Sequence, residues 1–310
     1  MKQILFILLV LSCGLSKANS GVEKKSISVT QQSLVENGLR LPVSFGHDKT
    51  FTVEERLLRY KVPGLSFALI KSGKISWVAG YGSVSVSSQE AVTPITVFQA
   101  ASIAKPATAF GVMRMRDKGV VNIDKNIEEY LFSSALPSGK QNQESPVTFK
   151  NLLNHSSGLS EGGYMGYEKG ENIPSDVQTF NGVHPAKNKP VTIESAPDTT
   201  IRYSGAGYTL VEITLSDIFK QPFEKIMDDW VLSTVGMKNS SFDMNYPYID
   251  GKQVALGHDN LGKQIKGGWR LHPEQAAAGL WSTPTDLATL AIEVGRHIKE
   301  KASCYPEHLP

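Results

Sequence analysis

The sequence predicts an α/β protein: an antiparallel sheet portion flanked by helices, with a helical lobe inserted into the same domain. Three observations lead there. Val62 to Ile70 and Ile75 to Tyr81 are apolar, β-prone runs joined by Lys71-Ser72-Gly73-Lys74, the composition of a hairpin turn. Ala107, Phe110, Gly111, Met113 and Met115 suit a largely buried helix that closes at Asp117-Lys118-Gly119. Leu287, Leu290, Ala291, Val294 and Ile298 recur at helical spacing behind Thr283-Pro284, which suit an N-cap and first helical position.

In chain order, Lys2 followed by Ile4 to Leu11 is a charged-then-apolar segment too short to span a bilayer. Ala18-Asn19-Ser20 then offers small residues for cleavage before Gly21. The expectation is a signal peptide over 1–20, one domain over 21–310, no transmembrane segment, and export to the periplasm or beyond. Cleavage before Cys13 is the alternative, and would leave a lipid-anchored cysteine. Cys304 would then stand alone or with a lipidated Cys13, so no structural disulfide is expected. Gly21 to Ser44 is a polar lead-in, and Phe51 to Tyr60 suits a first helix. Phe149 to Asn154 is helix-like, whereas Glu161 to Pro197 is rich in Gly, Pro, Asn and Lys and reads as a long loop.

A net charge of +2, from 32 basic and 30 acidic residues, gives no electrostatic case for nucleic acid or an anionic membrane. The seven histidines show no metal-ligand spacing, so no metal is expected. His155 reads as a loop histidine that satisfies backbone groups, and Asp286 as a charge favouring the start of the last helix. Gly158-Leu159-Ser160-Glu161-Gly162 has the spacing of a nucleophile elbow, but it lacks the strand before and the helix after.

The chemistry points instead to Ser102-Ile103-Ala104-Lys105, the only Ser-x-x-Lys in the chain. At the start of a helix this spacing puts a hydroxyl and an amine on one face, where the amine can take the hydroxyl's proton. The positive potential of a helix N-terminus helps to hold the lysine neutral and favours an oxyanion nearby.

Four segments in order, Phe98 to Pro106, Leu152 to Leu159, Arg202 to Tyr208 and Ala276 to Leu287, carry a family resemblance over about Val62 to Leu290. The chain resembles the serine hydrolases of the β-lactamase and penicillin-binding type. It is most similar to the branch of class C β-lactamases, D-aminopeptidases, DD-carboxypeptidases and related esterases. The resemblance implies the β-lactamase/DD-peptidase fold and an acyl-enzyme formed on Ser102, with Lys105 as proton acceptor or as electrostatic partner of the base. Tyr203 would lie against the lysine and shuttle the proton to the leaving group. It further implies that the long loop borders the site, so that Tyr164 and Tyr167 contact substrate. The substrate would be a small-molecule or peptide acyl compound: an ester, an amide, a D-amino-acid peptide or a β-lactam. No cofactor is implied, and a monomer is expected.

The chain departs from the family pattern twice. Gly205 stands where many members have asparagine, and it cannot donate the amide hydrogen bond that asparagine gives to substrate. The third motif, Lys-Thr-Gly or His-x-Gly on a C-terminal strand, is absent; the single Lys71-Ser72-Gly73 lies in the hairpin turn. The resemblance implies a five-stranded sheet whose last three strands follow the final helix, so the chain reads as C-terminally truncated. One oxyanion donor would then be missing, worth on the order of 10²–10³ in rate. The alternative reading is an inactive, truncated member that binds ligand.

Overall fold

The computed structural model describes residues 31–43, 49–160, 162–249 and 251–303. The signal peptide, Cys13 and Cys304 lie outside the described residues.

Among the described residues, two short antiparallel sheets sit among ten α-helices, numbered in chain order. Helix α1 covers 31–37. Helix α2 (Val53–Tyr60) begins in a capping box in which Thr52 and Glu55 exchange side-chain and backbone hydrogen bonds. Strands β1 (Gly64–Lys71) and β2 (Lys74–Gly82) form the expected hairpin. Ser72 and Gly73 at its tip have φ of 51° and 70°, the left-handed pair that a two-residue turn demands. Among the described residues no third strand joins this hairpin, and most of its residues are half-buried.

Strand β3 (Phe98–Ala101) pairs with β4 (Leu280–Ser282), so the first and last family-like segments meet edge to edge. Helix α3 (Ala104–Asp117) follows β3 directly. Capping boxes at Thr148 and Ser175 start α4 (Phe149–Leu153) and α5 (Asp176–Phe180); α5 lies inside the segment expected to be loop. Helix α6 (Gly205–Phe219) is buried on nearly every side and packs against α4, α5 and the two short helices α7 (Phe223–Met227) and α9 (Gln275–Ala278). A π-helical turn over Asp228–Leu232 links α7 to α8 (Ser233–Val235). Helix α10 (Pro284–Ser303) packs across β1 and β2.

The core lies around α6 and α3, where Met115, Phe149, Leu152, Leu210, Ile213, Leu215 and Met227 are fully enclosed. Gly111 lets α3 approach the π-helical turn, since a Cβ there would stand 3.0 Å from Val231 Cγ2. Several expectations are corrected. Ser102, expected at the start of a helix, lies two residues before Ala104, the first residue of α3, with Ile103 at the N-cap position without a side-chain bond. Ile298, which its spacing placed on the apolar face of the last helix, is 64% exposed. Asp286 does more than charge a helix end: buried, it accepts hydrogen bonds from the Asn239 N–H and the Ser240 hydroxyl and ties that loop to α10.

Candidate active site

Ser102 stands where β3 turns into α3. The preceding Ala101 has φ of 46°, a left-handed conformation that costs a residue with a Cβ about 1 kcal/mol and persists because the surrounding structure enforces it. The β3–β4 pairing supplies that enforcement. Lys105, in the first turn of α3, is buried, and its Nζ reaches two oxygens: the Ala277 carbonyl at 2.7 Å and Ser102 Oγ at 3.3 Å. The Tyr203 hydroxyl donates to the same Ser102 Oγ at 2.9 Å. Two groups, one from the same turn and one 101 positions away, therefore converge on one oxygen.

Burial lowers the Lys105 pKa from the ordinary lysine value, and the Tyr203 hydroxyl and the charge of Glu274 offset part of that. While Lys105 is protonated, Ser102 Oγ accepts from both partners. Once the amine is neutral, the 3.3 Å contact reverses and the serine O–H donates to nitrogen. The rings of Tyr203 and Tyr208 lie 4.9 and 5.7 Å from Nζ and shield it from water. Tyr208 stays neutral: burial pushes it up to about 12, and its hydroxyl donates to the Leu153 carbonyl.

His155 holds Tyr203 in place. Its ring lies 4.6 Å from the tyrosine ring, its carbonyl accepts the Arg202 N–H, and its Nδ1 accepts the Ser204 N–H at 3.3 Å. The backbone-satisfying role expected for this histidine is thus present, together with a ring contact that the sequence did not suggest. Burial first, and then the Lys105 charge, lower its pKa, which favours the neutral ring. Ser160 is occupied elsewhere, exchanging hydrogen bonds with the Thr192 backbone, and among the described residues no strand precedes it and no helix follows it directly.

The three residues expected at the substrate occupy different positions. A Cβ on Gly205 would stand 3.0 Å from Tyr164 Cε2 and 3.3 Å from Cδ2, so the tyrosine ring fills the space beside this glycine. Thr209 Oγ1 donates to the Tyr164 hydroxyl at 3.0 Å and fixes that ring. Tyr167 is buried, with its hydroxyl accepting the Lys187 N–H and its backbone bridged to Leu271. Tyr164 and Tyr167 line a cavity of about 160 Å³ together with Glu274 and Lys187, next to the three catalytic candidates but not formed by them. Gly205→Asn is therefore expected to cost about 1–3 kcal/mol of stability. In a Tyr164→Ala background the cost should largely vanish; chemical denaturation of the four proteins in this cycle measures the coupling.

A family model described as Beta-lactamase matches residues 50–303. The chain belongs to the beta-lactamase family. Within it, protein flp of Staphylococcus aureus (strain MRSA252) is 24% identical over 254 residues, which cover 79% of this chain and 46% of that protein. The chain thus spans about half the length of this curated relative. The octameric penicillin-binding protein homologue from Pyrococcus abyssi superposes with a TM-score of 0.61 at 26% identity, over 77% of this chain and 54% of that one. A beta-lactamase/D-alanine carboxypeptidase from Yersinia pestis, solved with citrate, gives 0.59 at 18% identity, over 77% and 65%. These likenesses establish the beta-lactamase/DD-peptidase fold. Among the described residues of this beta-lactamase-family chain, no helix is long and apolar enough to cross a membrane, and no cluster of acidic, His or Cys residues is placed to hold a metal ion.

Proposed function

We propose that the protein is an exported serine hydrolase that works through an acyl-enzyme on Ser102. The convergence of Lys105 Nζ and the Tyr203 hydroxyl on Ser102 Oγ, at 3.3 and 2.9 Å, carries this reading. Neutral Lys105 takes the serine proton as Oγ attacks the acyl carbonyl. The carbonyl oxygen becomes an oxyanion beside the head of α3, where the helix potential favours negative charge. As the tetrahedral intermediate collapses, Tyr203 passes its proton to the leaving group and recovers one from Lys105. Water then attacks the ester, and the same two groups return the proton to Ser102. The substrate is an ester, an amide, a D-amino-acid peptide or a β-lactam. The charged-then-apolar segment at the N-terminus supports export.

Stopped-flow hydrolysis of p-nitrophenyl acetate tests the reading. A burst of one nitrophenol per chain, with steady turnover cut on the order of 10²–10⁴ in Tyr203→Phe, is the expected result. A cooperatively folded chain that turns over neither this ester nor a penicillin nor a D-alanyl peptide would sink it and leave a ligand-binding protein.

A further inference from the structure

The cavity lined by Tyr164 and Tyr167 holds a buried carboxylate oxygen with no hydrogen-bond partner. Glu274 lines it, is 1% exposed, and its Oε2 has no hydrogen-bond partner. His272 Nδ1 stands 3.4 Å from that oxygen, within ion-pair distance, but makes no hydrogen bond to it or to any other group. A buried carboxylate oxygen left in this state is costly, and native structures rarely keep one without a reason. The neighbouring cation does not answer the need: Lys187 Nζ is engaged by Glu171 at 2.6 Å and by the Gly166 carbonyl at 3.3 Å. Glu212, the other enclosed acid on this side, accepts the Ala276 N–H, and burial holds its carboxyl well above the usual range.

The cavity is small, about 160 Å³, with tyrosine walls at Tyr164 and Tyr167 and the exposed Met165 at its rim. A buried carboxylate among aromatic rings matches an ammonium group, which is attracted by both. A metal ion fits poorly, because among the described residues no third ligand joins the pair. The position is suited to a substrate: Glu274 lies three residues before Ala277, whose carbonyl anchors Lys105, and the Tyr164 ring packs on Gly205, two residues after Tyr203. We propose that this cavity is a subsite for a primary ammonium group on the acyl substrate, held by Glu274 between Tyr164 and Tyr167. The word substrate rests on the hydrolase reading; the ammonium site does not.

The test is calorimetric titration with n-butylammonium chloride, against n-butanol as its neutral counterpart, on wild type and on Ser102→Ala. Saturable binding of the ammonium by both proteins, and none of the alcohol at equal concentration, is expected. Glu274→Gln should weaken binding about tenfold or more, the worth of a charge-assisted hydrogen bond. Met165→Lys, at an 81% exposed rim position that leaves the core untouched, should weaken it by like-charge repulsion. This second variant decides the matter if Glu274→Gln fails to fold. Equal binding of alcohol and ammonium, no binding of either, or affinity unchanged in both variants would overturn the subsite. Ammonium binding in a chain that hydrolyses nothing would retain the site and refute the hydrolase. Turnover without such binding would do the reverse.

Discussion

Ser102→Ala abolishes covalent labelling of residues 21–310 by a fluorophosphonate or a penicillin, and lowers esterase turnover on the order of 10⁴–10⁶, the scale of losing a nucleophile outright. The loss is that large because no neighbour can substitute. Lys105 and Tyr203 both direct their polar atoms at Ser102 Oγ, and without that oxygen they converge on nothing nucleophilic. Ser160→Ala supplies the contrast and should leave labelling intact, since its hydroxyl accepts a backbone N–H from Thr192 at 2.9 Å and faces no base. Intact-mass spectrometry of the three proteins reads the result directly. An adduct that survives Ser102→Ala and disappears in Ser160→Ala would refute the assignment of the nucleophile.

Lys105→Met is the second large effect, a fall of kcat/KM on the order of 10²–10⁴ with the fold retained. Methionine matches the apolar stem, so the packing of α3 is kept while the proton acceptor is removed. The pH profile carries the sharper test. The folded pKa of Lys105 lies below its ordinary value because burial penalises the ammonium. Only the neutral amine accepts the serine proton, so wild-type kcat/KM should climb with pH and reach its midpoint below the ordinary lysine value of ~10.4. Stability follows the same sign. Between the folded and the ordinary pKa the unfolded chain binds more protons than the native one, so wild-type stability rises with pH across that window. Lys105→Met lacks this dependence. The stability difference should therefore shift in favour of wild type as pH rises, which denaturation at a series of pH values would show. A difference that is flat with pH would mean that the amine is not desolvated.

What the sequence revealed was mostly local. The β1–β2 hairpin is written in a four-residue turn and two apolar runs, and Thr283-Pro284 marks the start of α10. Ser102 and Lys105 are legible because three residues separate them; Tyr203 required the family resemblance, since nothing near it announces a partner a hundred positions away. Strands β3 and β4 escaped notice: four and three residues are too short to show alternation, and each is strand only because the other is there. The Ala277 carbonyl, the firmest contact of Lys105, has no sequence signature because every residue carries one. Glu274 sat just outside a matching segment, and only its enclosure distinguishes it from a surface acid. Asp286 was assigned to its own helix because its partners at Asn239 and Ser240 are remote in sequence.

The bond from Lys105 to the Ala277 carbonyl joins residues 172 positions apart, and the β3–β4 pairing spans a similar interval. Such long closures form late, after local helices and hairpins. During synthesis, a nascent chain that has not yet delivered residues 274–282 carries its serine and lysine with no carbonyl to seat the amine and no strand to hold Ala101 in its left-handed turn. The proposed nucleophile stays unarmed until almost the whole described chain is available.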